Sequence, residues 1–317
     1  MTRPAAPSWQ VWTGLWIVYV VWGSTYLAIA YVVESMPAAF SAALRFAVAA
    51  VLLAGWVAVR RGPSALRVSA RQVRGAAVVG LLLLVGGNGL VVLAEDADLP
   101  SGLAALLVAA IPFWVVLLRS GAGDRPAART LLGVALGFAG VAVLLLPGAR
   151  PDGVPLGAAA LAVLASFLWS VGMFAGSRIE LPGDRLMTTV LQMTAGALGL
   201  LVVGVLRGES VDFSGATTAS WLATAYLVVF GSLVAFTAYS WLLTAAPVSK
   251  VATYAYVNPV VAVALGALLR GEDLTALTVL GGAVTVLAVA VVVREEGRQS
   301  RAEPAPPPGA VSVSARH

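Results

Sequence analysis

"TLLGVALGFAGVAVLL", residues 130 to 145, runs sixteen residues without a charge, and it returns with small changes as "TVLGGAVTVLAVAVVV" at residues 278 to 293. Each copy is apolar around its whole helical circumference, so it belongs in hydrocarbon or a fully buried core and not on a soluble surface. The recurrence also says that the chain is duplicated. Trp22 matches Trp169, Pro100 matches Pro247 and Pro112 matches Pro259, all at a spacing of 147 residues, and the two quoted runs keep that spacing to within one residue.

Composition extends the first point to the whole chain. Of 317 residues, 60% are hydrophobic and 11% charged, and the mean hydropathy is +0.92; a soluble domain carries about a quarter charged residues. Apolar runs separated by Pro, Gly and charge clusters predict ten membrane spans, at 12-32, 38-59, 75-94, 101-118, 130-146, 156-175, 186-206, 219-242, 249-269 and 274-293. The first run is too long for a signal-peptide core, which is roughly 7 to 15 residues. The tail at 294-317, rich in Pro, charge and small residues, reads as a disordered cytoplasmic end. The expected fold is an all-α integral membrane protein.

Charge placement orients the spans. With the N-terminus inside, sixteen of the twenty Lys and Arg residues fall on cytoplasmic segments, while Arg150, Arg207 and Arg270 fall outside and Arg45 lies within the second span. The positive-inside rule then puts both termini in the cytoplasm. The basic excess is spent on topology, which leaves no case for a nucleic-acid partner. Nineteen arginines against one lysine, with heavy use of Ala, Gly and Val, point to a GC-rich bacterial host; the expected location of the multi-pass chain is the bacterial inner membrane.

Five spans per copy is an odd number, so the second copy enters the membrane in the opposite sense. The expectation is two inverted five-helix repeats, 12-146 and 156-293, around a central cavity, the architecture with which secondary transporters open one site to either face. Enzyme chemistry has little to work with. Cysteine is absent, His317 is the sole histidine, and "GAGD" at 121-124 resembles a membrane aspartyl-protease motif but lies between Arg119 and Arg125 in a loop. Catalytic residues, a metal site and a cofactor are therefore not expected. Lys250, the only lysine, stands outside any GxxxxGK[ST] loop, so transport would be driven by a gradient and not by ATP.

Several stretches together resemble one family. "VVWGSTYLAI" from Val20, "MPAAFSAALRF" from Met36, "GGNGLVVLAEDADLPSGLAALLVAAIPFW" from Gly86 and "YVNPVVAVALGALLRGEDLT" from Tyr256 are similar to the EamA family of the drug/metabolite transporter superfamily, on its bacterial drug/metabolite exporter branch. The resemblance implies two inverted five-helix repeats and export of small metabolites or drugs. The family often carries a glutamate after its fourth span; Glu272 follows the ninth here, but the first copy offers only Asp124 near that place.

Polar and aromatic residues at mid-span depth are the expected substrate-binding set: Trp22, Ser24, Tyr26, Asn88, Trp114, Trp169, Ser170, Gln192, Tyr239, Tyr254, Tyr256 and Asn258. Such a lining suits amino-acid-like or weakly polar solutes. Arg45 joins the set as a pairing partner of Glu34 or Glu95 or as a contact for an anionic substrate group; its counterpart 147 residues on is Gln192. Glu95, at the membrane edge, is the expected proton-coupling group. Pro112 and Pro259 are expected hinges inside the fourth and ninth spans. "GGNG" at 86-89 predicts a loosened helix with close neighbours, and Gly133 and Gly137 a close-packing face that serves either internal packing or a dimer. Monomer and homodimer both remain open on these grounds, and the partners are a small-molecule substrate and the lipid bilayer. Export is weighed against uptake or exchange of the same solutes, and against a non-transporting membrane scaffold or lipid-handling protein, which would need no polar cavity.

Overall fold

The structure, a computed structural model, describes residues 8–62, 64, 67–148, 154–246 and 248–302. Among them every regular element is a helix. The helices are α1 (Ser8–Val33), α2 (Ala38–Arg61), α3 (Ala70–Asp96), α4 (Ser101–Gly121), α5 (Ala128–Leu144), α6 (Leu156–Gly176), α7 (Arg185–Leu206), α8 (218–245), α9 (Tyr254–Arg270) and α10 (Ala276–Ala302), with a single turn at Val248–Val251. Eight of them are long and apolar enough to cross a membrane, and α5 and α9 are shorter apolar helices. The protein is a multi-pass membrane protein. Arg3, Arg150, Pro247 and Arg316, used above for topology or repeat matching, lie outside the described residues.

Local chemistry sets the helix ends. A capping box opens α3, with the Ser69 hydroxyl accepting from the Gln72 amide at 3.1 Å and the Gln72 side chain accepting from the Ser69 amide at 3.2 Å. Asp184 and Thr217 cap α7 and α8 in the usual way. Helix α9 stops at Gly271, whose φ of 64° is open to glycine without strain. Helices α2 and α4 instead follow Pro37 and Pro100, which offer no capping side chain. Their free amides are capped from a distance: Glu209 accepts from Ala39 and Phe40, and Glu272 accepts from Ser101 and Gly102.

These long-range caps and the ion pairs fix helix directions. Helix α2 begins beside the end of α7 through Glu209, and its last residue, Arg61, pairs with Asp184 at the start of α7. The two run antiparallel. So do α4 and α9, since Glu272 just beyond α9 caps the start of α4. So do α5 and α10, where Gly133 faces Val292 and Gly140 faces Thr285. One end of the bundle holds Glu209 and Glu272 with the pairs Arg207–Asp96 and Arg270–Glu34. The other holds Arg61–Asp184, Arg71–Glu180 and Arg119–Glu296. We call them the carboxylate-capped end and the arginine-rich end.

The structure departs from the sequence reading in two places here. The last helix does not stop at Arg294 but continues to Ala302; Glu295 and Arg298 pair along it and Glu296 reaches Arg119, so the first part of the expected tail is held by ion pairs. Helix α4 is not kinked at Pro112. It breaks at Ala109 and Ala110 and restarts at Ile111, which puts Pro112 in a first turn, where its missing N–H is no loss. The "GGNG" segment is the loosened helix with close neighbours that its sequence predicts. Leu81–Gly89 forms wide π-type turns, and Leu227–Val234 in α8 does the same within two residues of the place 147 residues on. Added Cβ atoms on Gly86, Gly87 and Gly89 would lie 2.9 Å from Leu168, 2.6 Å from Trp169 and 2.7 Å from Leu200.

Gly133 and Gly137 are spent inside the molecule. Gly133 faces Val292, and a Cβ on Gly137 would enter the ring of Phe113, which is fully buried. Gly137→Ala is expected to cost about 1–3 kcal/mol by overpacking, read as a lower midpoint of thermal unfolding in detergent. An unchanged midpoint would show that this face is not tightly packed.

Candidate functional site

Helices α1, α4, α6, α9 and α10 leave a cavity of about 560 Å³ between them. Tyr26 and Ala105 line it in mid-bundle, while Arg119, Glu296 and Gly297 line it at the arginine-rich end. It therefore opens towards that end. At the opposite end the start of α4 is held by Glu272: Oε1 accepts from the Ser101 amide at 2.9 Å and the Ser101 hydroxyl at 2.7 Å, and Oε2 accepts from the Gly102 amide at 2.9 Å. Ser101 is fully buried, and the half-buried Glu272 carboxylate ties this start of α4 to the end of α9.

Both spans that carry the matched prolines line the cavity. Val108, Ala109, Ile111 and Pro112 come from the break in α4, and Ala255, Asn258 and Pro259 from α9. The break brings the C-terminal end of Ser101–Val108 and the N-terminal end of Ile111–Gly121 to one wall, a partial negative beside a partial positive charge. Pro259 lacks the N–H that would bond the Ala255 carbonyl. Asn258, with its amide oriented to donate, lies 3.2 Å from the carbonyl oxygens of Tyr19 and Tyr254.

Of the expected lining residues the structure brings Tyr26, Tyr254 and Asn258 to the cavity, together with both prolines. Trp22 stands just behind Tyr254, with ring centroids 5.3 Å apart, and against Tyr239 at 5.0 Å; its indole donates to the Gly231 carbonyl at 3.2 Å. Trp22 and Tyr239 thus brace the wall. Ser24 bonds the Tyr226 hydroxyl at 2.6 Å, Trp114 donates to Ser166 at 3.0 Å, and Ser170 donates to the Ile111 carbonyl at 3.1 Å. Trp169 packs on Gly87, the Gln192 backbone on Gly80, and Tyr256 on the core around Phe113. Asn88 does not line the cavity, and its Oδ1 is buried without a partner. Sequence reasoning missed Arg119 and Glu296, because the first was counted for topology and the second lay in the expected tail.

The acidic residues clustered near Arg45 in the expected topology, Glu34, Glu95 and Asp96, sit in different environments. Glu34 pairs with Arg270, and Asp96 with Arg207 at 3.0 Å, at the capped end. Glu95 is 6% exposed and neither carboxyl oxygen has a partner; its charged neighbours are Glu272 and Arg270. Tyr26, which lines the cavity, lies within electrostatic reach of it. The expected pairing of Arg45 with Glu34 or Glu95 does not form. Arg45 donates through Nε to the Ser232 hydroxyl at 3.2 Å on α8, and it is absent from the cavity lining. Helix α8 passes close enough there, at Gly231, for Arg45 to turn across to it and away from the acidic cluster.

Comparison with known proteins fits this geometry. The chain is 37% identical over 278 residues to the uncharacterized inner membrane transporter YedA of Escherichia coli (strain K12), covering 88% of this chain and 89% of that protein. It is 26% identical to a probable amino-acid metabolite efflux pump of the same strain, over 84% of this chain and 88% of that one. It is also 27% identical to a probable terminal-alkyne amino-acid exporter of Streptantibioticus cattleyicolor, over 92% and 96%. A solved crystal structure that is 20% identical shares the fold, with a TM-score of 0.60 over 93% of this chain and 99% of its own. The sequence model of the EamA-like transporter family matches twice, at residues 12–146 and 156–294. With two copies of that unit filling most of its length, the chain belongs to the EamA-like transporter family.

Proposed function

We propose that this membrane transporter exports small amino-acid-like metabolites or related amphipathic drugs by alternating access, in exchange for protons. One observation carries the reading: a cavity of about 560 Å³, walled by a broken α4 and a proline-bearing α9, reaches the arginine-rich end, while at the other end a half-buried carboxylate caps the start of α4. All ten helices cross the membrane in this reading, α5 and α9 with 17 residues each, at the lower limit for spanning. The antiparallel pairs α2/α7, α4/α9 and α5/α10 support inverted repeats, because each helix lies against its own counterpart. The positive-inside rule makes the arginine-rich end cytoplasmic, so the open cavity faces the cytoplasm, where an exporter loads.

The lining supports the substrate class. The wall is mostly Ala, Val, Ile and Pro, with Tyr26, Tyr254 and Asn258 as its mid-bundle polar side chains. The broken α4 offers its C-terminal carbonyl end to an ammonium group and its restarted N-terminal end to a carboxylate, the pair that a zwitterion presents. Two relatives bear names that refer to amino-acid export. Domains follow the same division, 12-146 and 156-293, and the matched prolines stand just after the break in α4 and within the continuous α9.

Efflux of radiolabelled neutral amino acids and apolar cationic drugs from proteoliposomes tests the reading. Saturable flux is expected, and Asn258→Ala is expected to raise KM by about tenfold, the value of one lost hydrogen bond of roughly 1.4 kcal/mol. A panel without saturable flux would count against transport of this class.

A further inference from the structure

Arg45 lies away from the cavity, in a place that the transport reading does not use. Its residue is 6% exposed, its Nε donates to Ser232 at 3.2 Å, and its Nη1 has no partner. The ring of Phe46, 4.8 Å from the guanidinium carbon, supplies only a weak counter-charge. Among the described residues no carboxylate pairs with Arg45, since Glu34 and Asp96 are taken by Arg270 and Arg207. A guanidinium keeps its proton under all ordinary conditions. A full positive charge is thus buried with one neutral hydrogen-bond partner, an arrangement that is costly unless something compensates it.

Arg45 also borders a small pocket of about 10 Å³, separate from the cavity and lined also by Ile29, Val32, Ser41, Val92 and Thr224. Such a volume holds one water-sized occupant. A carboxylate group, with three heavy atoms, does not fit. The pocket contains no acidic side chain that would repel an anion, and the Ser41 and Thr224 hydroxyl protons are already given to the carbonyls of Ala38 and Ser220. Binding there rests on Arg45 itself. A water would fill the space but leave the charge uncompensated; a monatomic anion does both.

We propose that the pocket at Arg45 is a halide site, occupied by a chloride ion that neutralises the buried guanidinium and ties α2 to α8. The second repeat carries Gln192 in place of Arg45 and needs no such ion. The site does not depend on which solute the central cavity carries.

The test uses the full-length protein in detergent. Its unfolding midpoint is compared in sodium chloride and in sodium gluconate at equal ionic strength, and crystals grown in sodium bromide are examined for anomalous scattering. At tenfold saturation the midpoint is expected to stand roughly 2–4 °C higher in chloride, with a bromide peak beside Arg45 Nη1. Arg45→Gln, which installs the residue found in the other repeat, is expected to abolish both the salt difference and the peak, and Arg45→Lys to keep a smaller shift. Equal midpoints in the two salts with no bromide peak would mean that water fills the pocket and would overturn the proposal. A chloride shift that survives in Arg45→Gln would overturn it as well, by placing the ion elsewhere. Should Arg45→Gln fail to fold, the wild-type salt comparison and the bromide map still decide.

Discussion

Glu272→Ala is expected to spring the capped end of the bundle open. The substitution strands two amides and one hydroxyl at the start of α4, and Ser101, which carries two of them, is fully buried. Hydrogen bonds to a charged group are worth about 1.5–3 kcal/mol each. Entering water would satisfy part of the loss, so a net cost of about 3 kcal/mol to the closed end is reasonable. That shifts the balance between cavity-in and cavity-out forms by roughly a hundredfold, at 1.4 kcal/mol per factor of ten. Glu272→Gln keeps one acceptor oxygen and is expected to shift it by about tenfold. The chain has no cysteine, so a pair introduced at the ends of α3 and α9 can carry spin labels without background. Longer distances across this end in Glu272→Ala, with a fall in maximal efflux, are the expected result. A distance distribution identical to that of the parent would remove Glu272 as a latch.

Glu95→Gln is expected to abolish proton-driven accumulation while leaving exchange intact. The carboxyl is buried, both oxygens lack donors, and the Gln side chain has the same shape, so folding should survive. What disappears is the ability to take a proton on and off. For one proton per substrate, a gradient of two pH units sustains up to about a hundredfold concentration ratio. With Gln at this position the ratio should fall to one, and counterflow of labelled against unlabelled substrate should continue. Gradient-driven efflux undiminished in Glu95→Gln would assign the coupling elsewhere. The two acidic residues also neighbour each other, and a charged Glu95 opposes the charge of Glu272. The double variant is accordingly expected to depart from additivity.

How far the sequence could be read depended on the range of the interaction concerned. Span positions, the 147-residue repeat and the family rest on local hydropathy and spacing, which are present in any window of the chain. The cavity was legible where it is built from the spans' own irregularities, through Pro112 and Pro259 and the polar neighbours Tyr254 and Asn258. Three of the expected side chains reach it, Tyr26, Tyr254 and Asn258, because mid-span depth says nothing about which way a helix is turned. Trp114 and Ser170 have the right depth but face neighbouring helices. Glu272 was visible only as a family feature; that it caps a helix 171 residues away in sequence is a tertiary fact. Glu296 was hidden by composition, since a charged segment after the last span looks like tail until an arginine across the mouth holds it in a helix.

The wide turns of α3 and α8 carry a consequence about age. A π-type turn fits an extra residue into a helix at some energetic cost and is hard to gain or lose without disturbing every contact beyond it. Here it sits at matching places in two halves whose residues have otherwise drifted far apart: "LLLLVGGNG" in one and "LVVFGSLV" in the other. Two independent insertions at one depth would be a coincidence; one inheritance would not. The irregular turn sits at equivalent positions of the two matched family units, as expected where one unit that already carried it was copied into two.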